Sequence, residues 1–176
     1  MGVGMDPGRD REFAEFVDGR FTALQRFAYL LTGEWHLAED LVQTALTKVW
    51  FHRNSLHSGN ALESYTRTVM VNTSTQWWRR KWRSETPTEQ LPEPQAREEY
   101  GLVDDRDLLL RVLATLPRRT RATLVLRYFE DLPEAEIAQI MGCSIGTVKS
   151  NVSRGLAKLR DHELIAAIPA TVQKEG

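Results

Sequence analysis

The side chains with chemistry to offer gather in two places. Residues 77–83 run Trp-Trp-Arg-Arg-Lys-Trp-Arg, cations interleaved with indoles and free of acids. Residues 144–160 carry Lys149, Arg154, Lys158 and Arg160, again without an acid, among Thr147, Ser150, Asn151 and Ser153. Cations beside flat aromatic rings suit a nucleic-acid strand: charge for phosphates and π-faces for unstacked bases, with each stacked base worth about 1 to 3 kcal/mol. Cations mixed with hydroxyls and amides on one helix suit a duplex groove. Arg bonds guanine O6 and N7 together, whereas Lys on a phosphate adds affinity without sequence information. The remaining reactive groups, His36, His52, His57, His162 and Cys143, lack the short paired spacing of a zinc site. No metal, cofactor or catalytic constellation is expected of them.

Overall charge conceals this pattern. The chain of 176 residues has 23 Lys and Arg against 24 Asp and Glu, a net charge of -1, which by itself argues against phosphate binding. The charge is segregated, however. Between 85 and 107 the acids Glu85, Glu89, Glu93, Glu98, Glu99, Asp104, Asp105 and Asp107 face only Arg97 and Arg106, so an acidic stretch separates two basic stripes. No apolar run approaches the roughly 20 residues of a membrane span, and no membrane association is expected. Residues 1–11 show no apolar segment behind a basic cluster, so no secretory signal is expected and the cytoplasm is the default location. A lone cysteine, Cys143, suits a reducing compartment.

Helices are needed to position both stripes. Phe13, Phe16, Val17, Phe21, Leu24, Phe27, Ala28 and Leu31 recur at three- and four-residue steps and predict a helix ending at Thr32-Gly33. A second is predicted over 37–51, burying Ala38, Leu41, Val42, Ala45, Leu46 and Val49 and exposing Glu39, Asp40, Gln43, Thr44, Thr47 and Lys48. After turn composition at 54–60, Asn60 and Glu63 have capping-box spacing for a helix reaching about Arg83. Residues 84–103 hold Pro87, Pro92 and Pro94 among polar side chains, too little apolar surface to offset the entropy of ordering. Beyond this linker, Leu108 to Leu116 predict one helix and Leu124 to Phe129 another after Pro117. Ile137, Ala138, Ile140 and Met141, the Gly142-Cys143 turn and the cap residue Ser144 then have helix-turn-helix spacing over 134–160. In its second helix Val148, Val152, Leu156 and Leu159 form the packing face, leaving Thr147, Lys149, Ser150, Asn151, Ser153, Arg154 and Lys158 for DNA. The fold class is all-α: two small helical domains joined by a flexible acidic linker.

Leu116-Pro117, Leu124-Val125-Leu126-Arg127-Tyr128, Glu136-Ile137-Ala138 and Ser144-Ile145-Gly146-Thr147-Val148-Lys149-Ser150 resemble region 4 of the sigma-70 family, in its extracytoplasmic-function (ECF) branch. Independently, Ala38-Glu39-Asp40-Leu41-Val42-Gln43 with Trp50 resembles region 2.2, and the run from Tyr65 to Asn72 leading into Trp78-Arg79-Arg80 resembles regions 2.3 and 2.4. The implied division is a disordered 1–10, region 2 over 11–83, a linker over 84–103, region 4 over 104–162 and a tail over 163–176.

The resemblance implies an RNA polymerase initiation subunit without catalysis of its own. Its partners would be the polymerase core, through the beta-prime coiled coil and the beta flap, promoter DNA, and an anti-sigma factor as a candidate regulator. No small-molecule substrate is implied. Core binding falls to Asp40, Gln43, Thr44 and Thr47. The −10 element falls to Asn72, Gln76, Arg79, Arg80, Lys81 and Arg83, with Trp77, Trp78 and Trp82 as stacking surfaces. The −35 bases fall to Lys149, Ser150, Ser153 and Arg154, and its phosphates to Arg118, Arg119, Arg121, Asn151 and Lys158. Three positions depart from the family pattern. Gln76 stands where Asp is common and Trp77 where a basic residue is usual, so the −10 preference of relatives does not transfer. Pro133 stands where a Ser or Thr cap is common, and proline is tolerated there. A helix-turn-helix regulator that never meets polymerase is the alternative, and it leaves 11–83 without a role.

Overall fold

The computed structural model describes residues 6–84 and 105–161, with side chains over 6–79 and 108–161. The expected linker, apart from Ser84, and the expected C-terminal tail lie outside these residues. Every element among the described residues is helical: α1 (Pro7–Thr32), α2 (Trp35–His52), a 3₁₀ turn (Arg53–Ser55), α3 (Gly59–Ser84), α4 (Asp105–Ala114), α5 (Arg118–Tyr128), α6 (Glu134–Met141) and α7 (Ile145–Arg160). The first three α-helices make one bundle and the last four a second unit. Their buried side chains join in a single apolar cluster.

Helix α1 begins inside the ten residues expected to be disordered. The Asp6 carboxylate accepts from the amides of Gly8 and Arg9 at 3.0 and 3.4 Å, and proline occupies the first helical turn, where its missing N–H costs nothing. The apolar stripe starts only at Phe13, so periodicity could not mark this start. The end is the expected one: Gly33, at φ 78, turns left-handed and donates its N–H to Tyr29 O at 2.7 Å. The first turn is also pinned by Arg53, only 2% exposed. Arg53 Nε donates to Asp10 at 2.6 Å, and its guanidinium lies 3.6 Å from the Trp50 ring centroid.

At α3 the expected cap is displaced. Ser58 Oγ accepts from the Ala61 amide at 3.1 Å, which makes Ser58 the cap and places Asn60 inside the helix. Glu63, released from any capping box, pairs instead with Arg20 and Arg67, each at 2.7 Å. Along α3, Leu62, Thr66, Val69, Met70 and Thr73 are buried. Thr66 satisfies its hydroxyl on Leu62 O at 2.6 Å, and Thr73 accepts from Lys48 Nζ at 3.0 Å.

The helix-turn-helix follows the expected spacing. Pro133 precedes α6 with no side-chain capping bond, but Glu134 and Glu136 in the first turn complement the helix dipole. Gly142 ends α6 at φ 59, and Ser144 caps α7 by accepting from the Thr147 amide at 3.1 Å. Helix α7 crosses α5 closely at Gly155, where a Cβ would lie 2.7 Å from Leu124 Cδ1 and 2.9 Å from Thr120 Cγ2. Both neighbours are buried. Gly155→Ala should therefore destabilise the chain, because overpacking costs typically about 1 to 3 kcal/mol against the roughly 1 kcal/mol that Ala gains in helix propensity. A lowered urea midpoint is expected; an unchanged or raised one would contradict the close crossing.

Candidate nucleic-acid interface

Helix α7 turns Val148, Asn151 and Gly155 inward, and this seam sets what is left for solvent. Lys149, Ser150, Ser153 and Arg154 are all exposed and fall on one stripe, with Lys158 a turn further on. Ser150 donates to Gly146 O at 2.9 Å and Arg154 Nε to Ser150 O at 3.3 Å. Lys149 makes a loose 3.8 Å pair with Glu134, worth little at such exposure. The stripe is a cationic, hydrogen-bonding surface on one face of an α-helix, an element that a major groove admits.

Asn151 does not share it. It is 5% exposed, donates to Thr123 Oγ1 at 3.4 Å and accepts from Arg154 Nη2 at 2.8 Å. Three residues from Val148 and four from Gly155, it belongs to the packing seam, where it orients Arg154. It cannot also hold a phosphate.

The three arginines expected on phosphates are also differently placed. Arg119 is exposed but donates to Met141 O at 2.9 Å. Arg118 is partly buried, its guanidinium carbon 2.9 Å from the centroid of the Trp78 ring. Arg121 is buried and donates through Nε to Leu30 O at 2.6 Å. Burial, with the neighbouring Arg121 charge adding, lowers Arg118 to about 9. Burial also lowers Arg121, to about 10. Phosphate contact by Arg118 or Arg121 is incompatible with this packing.

On α3, Asn72, Gln76 and Arg79 are exposed at a helical spacing that aligns them. They line, with Val71 and Thr75, a shallow cleft whose other lining residues are Arg119 and Met141. Trp77 packs against the core, and Trp78 offers its face to Arg118. The side chains of Arg80, Lys81, Trp82 and Arg83 lie outside those described. Helix α2 presents Asp40, Gln43 and Thr47 to solvent with Thr44 partly covered, and Thr47 is tied to Gln43 O at 2.8 Å.

One set of polar residues went unnoticed in the sequence. Arg67 Nε donates to Glu130 at 2.7 Å, so Arg20, Glu63, Arg67 and Glu130 form an alternating chain from α1 through α3 to the loop before α6. The i, i+4 spacing of Glu63 and Arg67 was a usable signal. Glu130 gave none: its position depends on Asp131, at φ 50, a left-handed conformation that Asp tolerates better than most residues.

Comparison with known proteins gives concordant matches over both units. A family model described as Sigma-70 region 2 matches residues 21–84, and one described as Sigma-70, region 4 matches residues 106–159. The RNA polymerase sigma-E factor of Streptomyces coelicolor is 41% identical over 159 residues, covering 90% of this chain and 89% of that protein. The sigma-E factor of Streptomyces avermitilis is 39% identical over 89% of this chain and 88% of its own. Among solved structures, the sigma factor RpoE in complex with the anti-sigma factor NepR from Bartonella quintana superposes with a TM-score of 0.70 at 28% identity, over 90% of this chain and 99% of that one.

The part-buried hydrogen bond between Asn151 and Arg154 predicts coupling. In a double-mutant cycle on duplex DNA binding, Asn151→Ala and Arg154→Ala should interact by about 0.5 to 3 kcal/mol. Strictly additive losses would show that Asn151 does not position Arg154.

Proposed function

Because this chain belongs to the sigma-70 family, in its ECF branch, we propose that it binds core RNA polymerase and directs promoter-specific initiation by dividing the work between its two units. The observation that carries this reading is the order of matches: a region 2 unit over 21–84 followed by a region 4 unit over 106–159. A DNA-binding regulator would need only the second.

In this reading the exposed stripe of α2, Asp40, Gln43 and Thr47 with Thr44 beside it, docks on the beta-prime coiled coil, and the region 4 unit reaches the beta flap. Helix α7 lies in the major groove of the −35 element. Lys149, Ser150, Ser153 and Arg154 meet base edges there, each good bidentate pair contributing about 1 to 3 kcal/mol of discrimination. Lys158 and Arg119 hold flanking phosphates, giving affinity without sequence information. On α3, Asn72, Gln76 and Arg79 face the separated −10 strand, with Arg80, Lys81 and Arg83 continuing the basic track along its backbone. The Trp78 ring supplies a stacking face.

The chain contributes binding and strand separation, and the chemistry of RNA synthesis belongs to the core. It acts in the cytoplasm, on the nucleoid once in holoenzyme. The solved relative's complex with an anti-sigma factor supports a protein regulator of that kind here.

Asp40→Ala tests the polymerase half of the proposal. It removes an exposed charge without touching the core of the bundle, so thermal stability should hold while recovery of the chain with core in co-purification falls several-fold. Wild-type recovery would remove the α2 stripe from the interface.

A further inference from the structure

Helix α2 buries Ala38, Leu41, Val42, Ala45 and Val49, and away from these Phe51 stands 61% exposed. A single exposed phenylalanine is ordinary on a protein surface; the register of this one is not. Leu37, Thr44 and Phe51 follow one another at seven-residue steps, with Asp40 and Thr47 between them. Steps of three, four, three and four residues are the a and d alternation with which one helix lies along another. The five positions share a narrow strip about 21 Å long at 1.5 Å of rise per residue. Asp40, Thr47 and Phe51 are exposed, and Leu37 and Thr44 are partly covered. The cation beside the strip, Lys48, is turned to Thr73 Oγ1 at 3.0 Å, so the charge the strip itself carries is Asp40.

We propose that α2 docks side by side on a helix of the core polymerase's coiled coil through this heptad strip, with Phe51 as its apolar anchor and Leu37 closing the other end. The proposal rests on the reading of α2 as the polymerase-docking helix and deepens it. The contacts assigned above, Asp40, Gln43, Thr44 and Thr47, are all polar, and exposed polar and charged contacts contribute little binding energy in water. An aromatic ring moved from water into a helix–helix seam contributes more, and aromatic side chains are enriched in the buried centres of interfaces. Asp40 then sets the pairing and Phe51 supplies the grip, one turn beyond Thr47.

The register also selects the occupant. Two heptads are fewer than the roughly three or four that mark a coiled coil standing on its own sequence, and the centre of this strip is polar. A second copy of the chain would therefore bury little, whereas a partner whose helices are already paired presents a preformed groove for a short strip.

Affinity of the full-length chain for purified core, measured by titration, tests the proposal. Phe51→Ala should weaken binding by on the order of tenfold or more, and Phe51→Leu, which keeps an apolar side chain there, should lose less. Exposure of Phe51 predicts an unchanged thermal midpoint in both. Glu39→Ala removes a neighbouring exposed charge off the strip and should bind as wild type does. Raising salt from about 0.1 to about 0.5 M should shrink the loss caused by Asp40→Ala and leave that of Phe51→Ala in place. Wild-type affinity in Phe51→Ala with weakened binding in Asp40→Ala would overturn the anchor and leave the docking reading standing. Wild-type affinity in both would remove α2 from the interface and the docking reading with it. A Glu39→Ala loss equal to that of Phe51→Ala would overturn the heptad register. Dimerisation of the chain alone, abolished by Phe51→Ala, would assign the strip to a second copy and overturn the proposal.

Discussion

A guanidinium can be buried only where something answers its charge, and the place found for Arg121 determines how the two halves of this molecule meet. The C-terminus of α1 offers unpaired carbonyls and no cation of its own. Arg121 meets that need at Leu30 O, and α5 is thereby laid across the end of the first bundle. The remaining interdomain contacts agree with this placement. Glu130 comes within reach of Arg67, Arg118 lands on Trp78, and Arg119 and Met141 wall the cleft over Asn72 and Gln76.

Helix α3 carries the consequence. One side of it, Leu62, Thr66, Val69, Met70 and Thr73, is committed to the bundle core, and the polar line of Asn72, Gln76 and Arg79 is what this commitment leaves over. Helix α7 is divided in the same way: burying Val148, Asn151 and Gly155 leaves Lys149, Ser150, Ser153 and Arg154 as its outward stripe. In both helices the recognition face is the complement of the packing face, and the 3.6-residue period sets its width.

Periodicity in the sequence was enough to find the helices that bury a continuous stripe, including the buried positions Ala38, Leu41, Val42, Ala45 and Val49 of α2. The turn at Gly142 and the cap at Ser144 were also legible, because left-handed backbone and N-terminal capping each demand particular residue types. Polar residues in packing seams carry no such signal. Asn151 has the composition of a surface residue and is buried because its amide can satisfy both Thr123 and Arg154. Glu63 had the spacing of a capping partner, but Ser58 captured the helix start and left it to Arg20 and Arg67. The resemblance assigns Arg118 and Arg121 to phosphates, whereas the groups that engage them, Trp78 and Leu30, are remote in sequence. No local pattern records such a meeting.

The most direct measurement is run-off transcription with purified core polymerase on genomic DNA fragments, with and without the chain. A promoter-selecting subunit yields discrete transcripts only when it is present, from a limited set of start sites. The same products with core alone, or chain-dependent DNA binding with no transcript, would contradict the assignment.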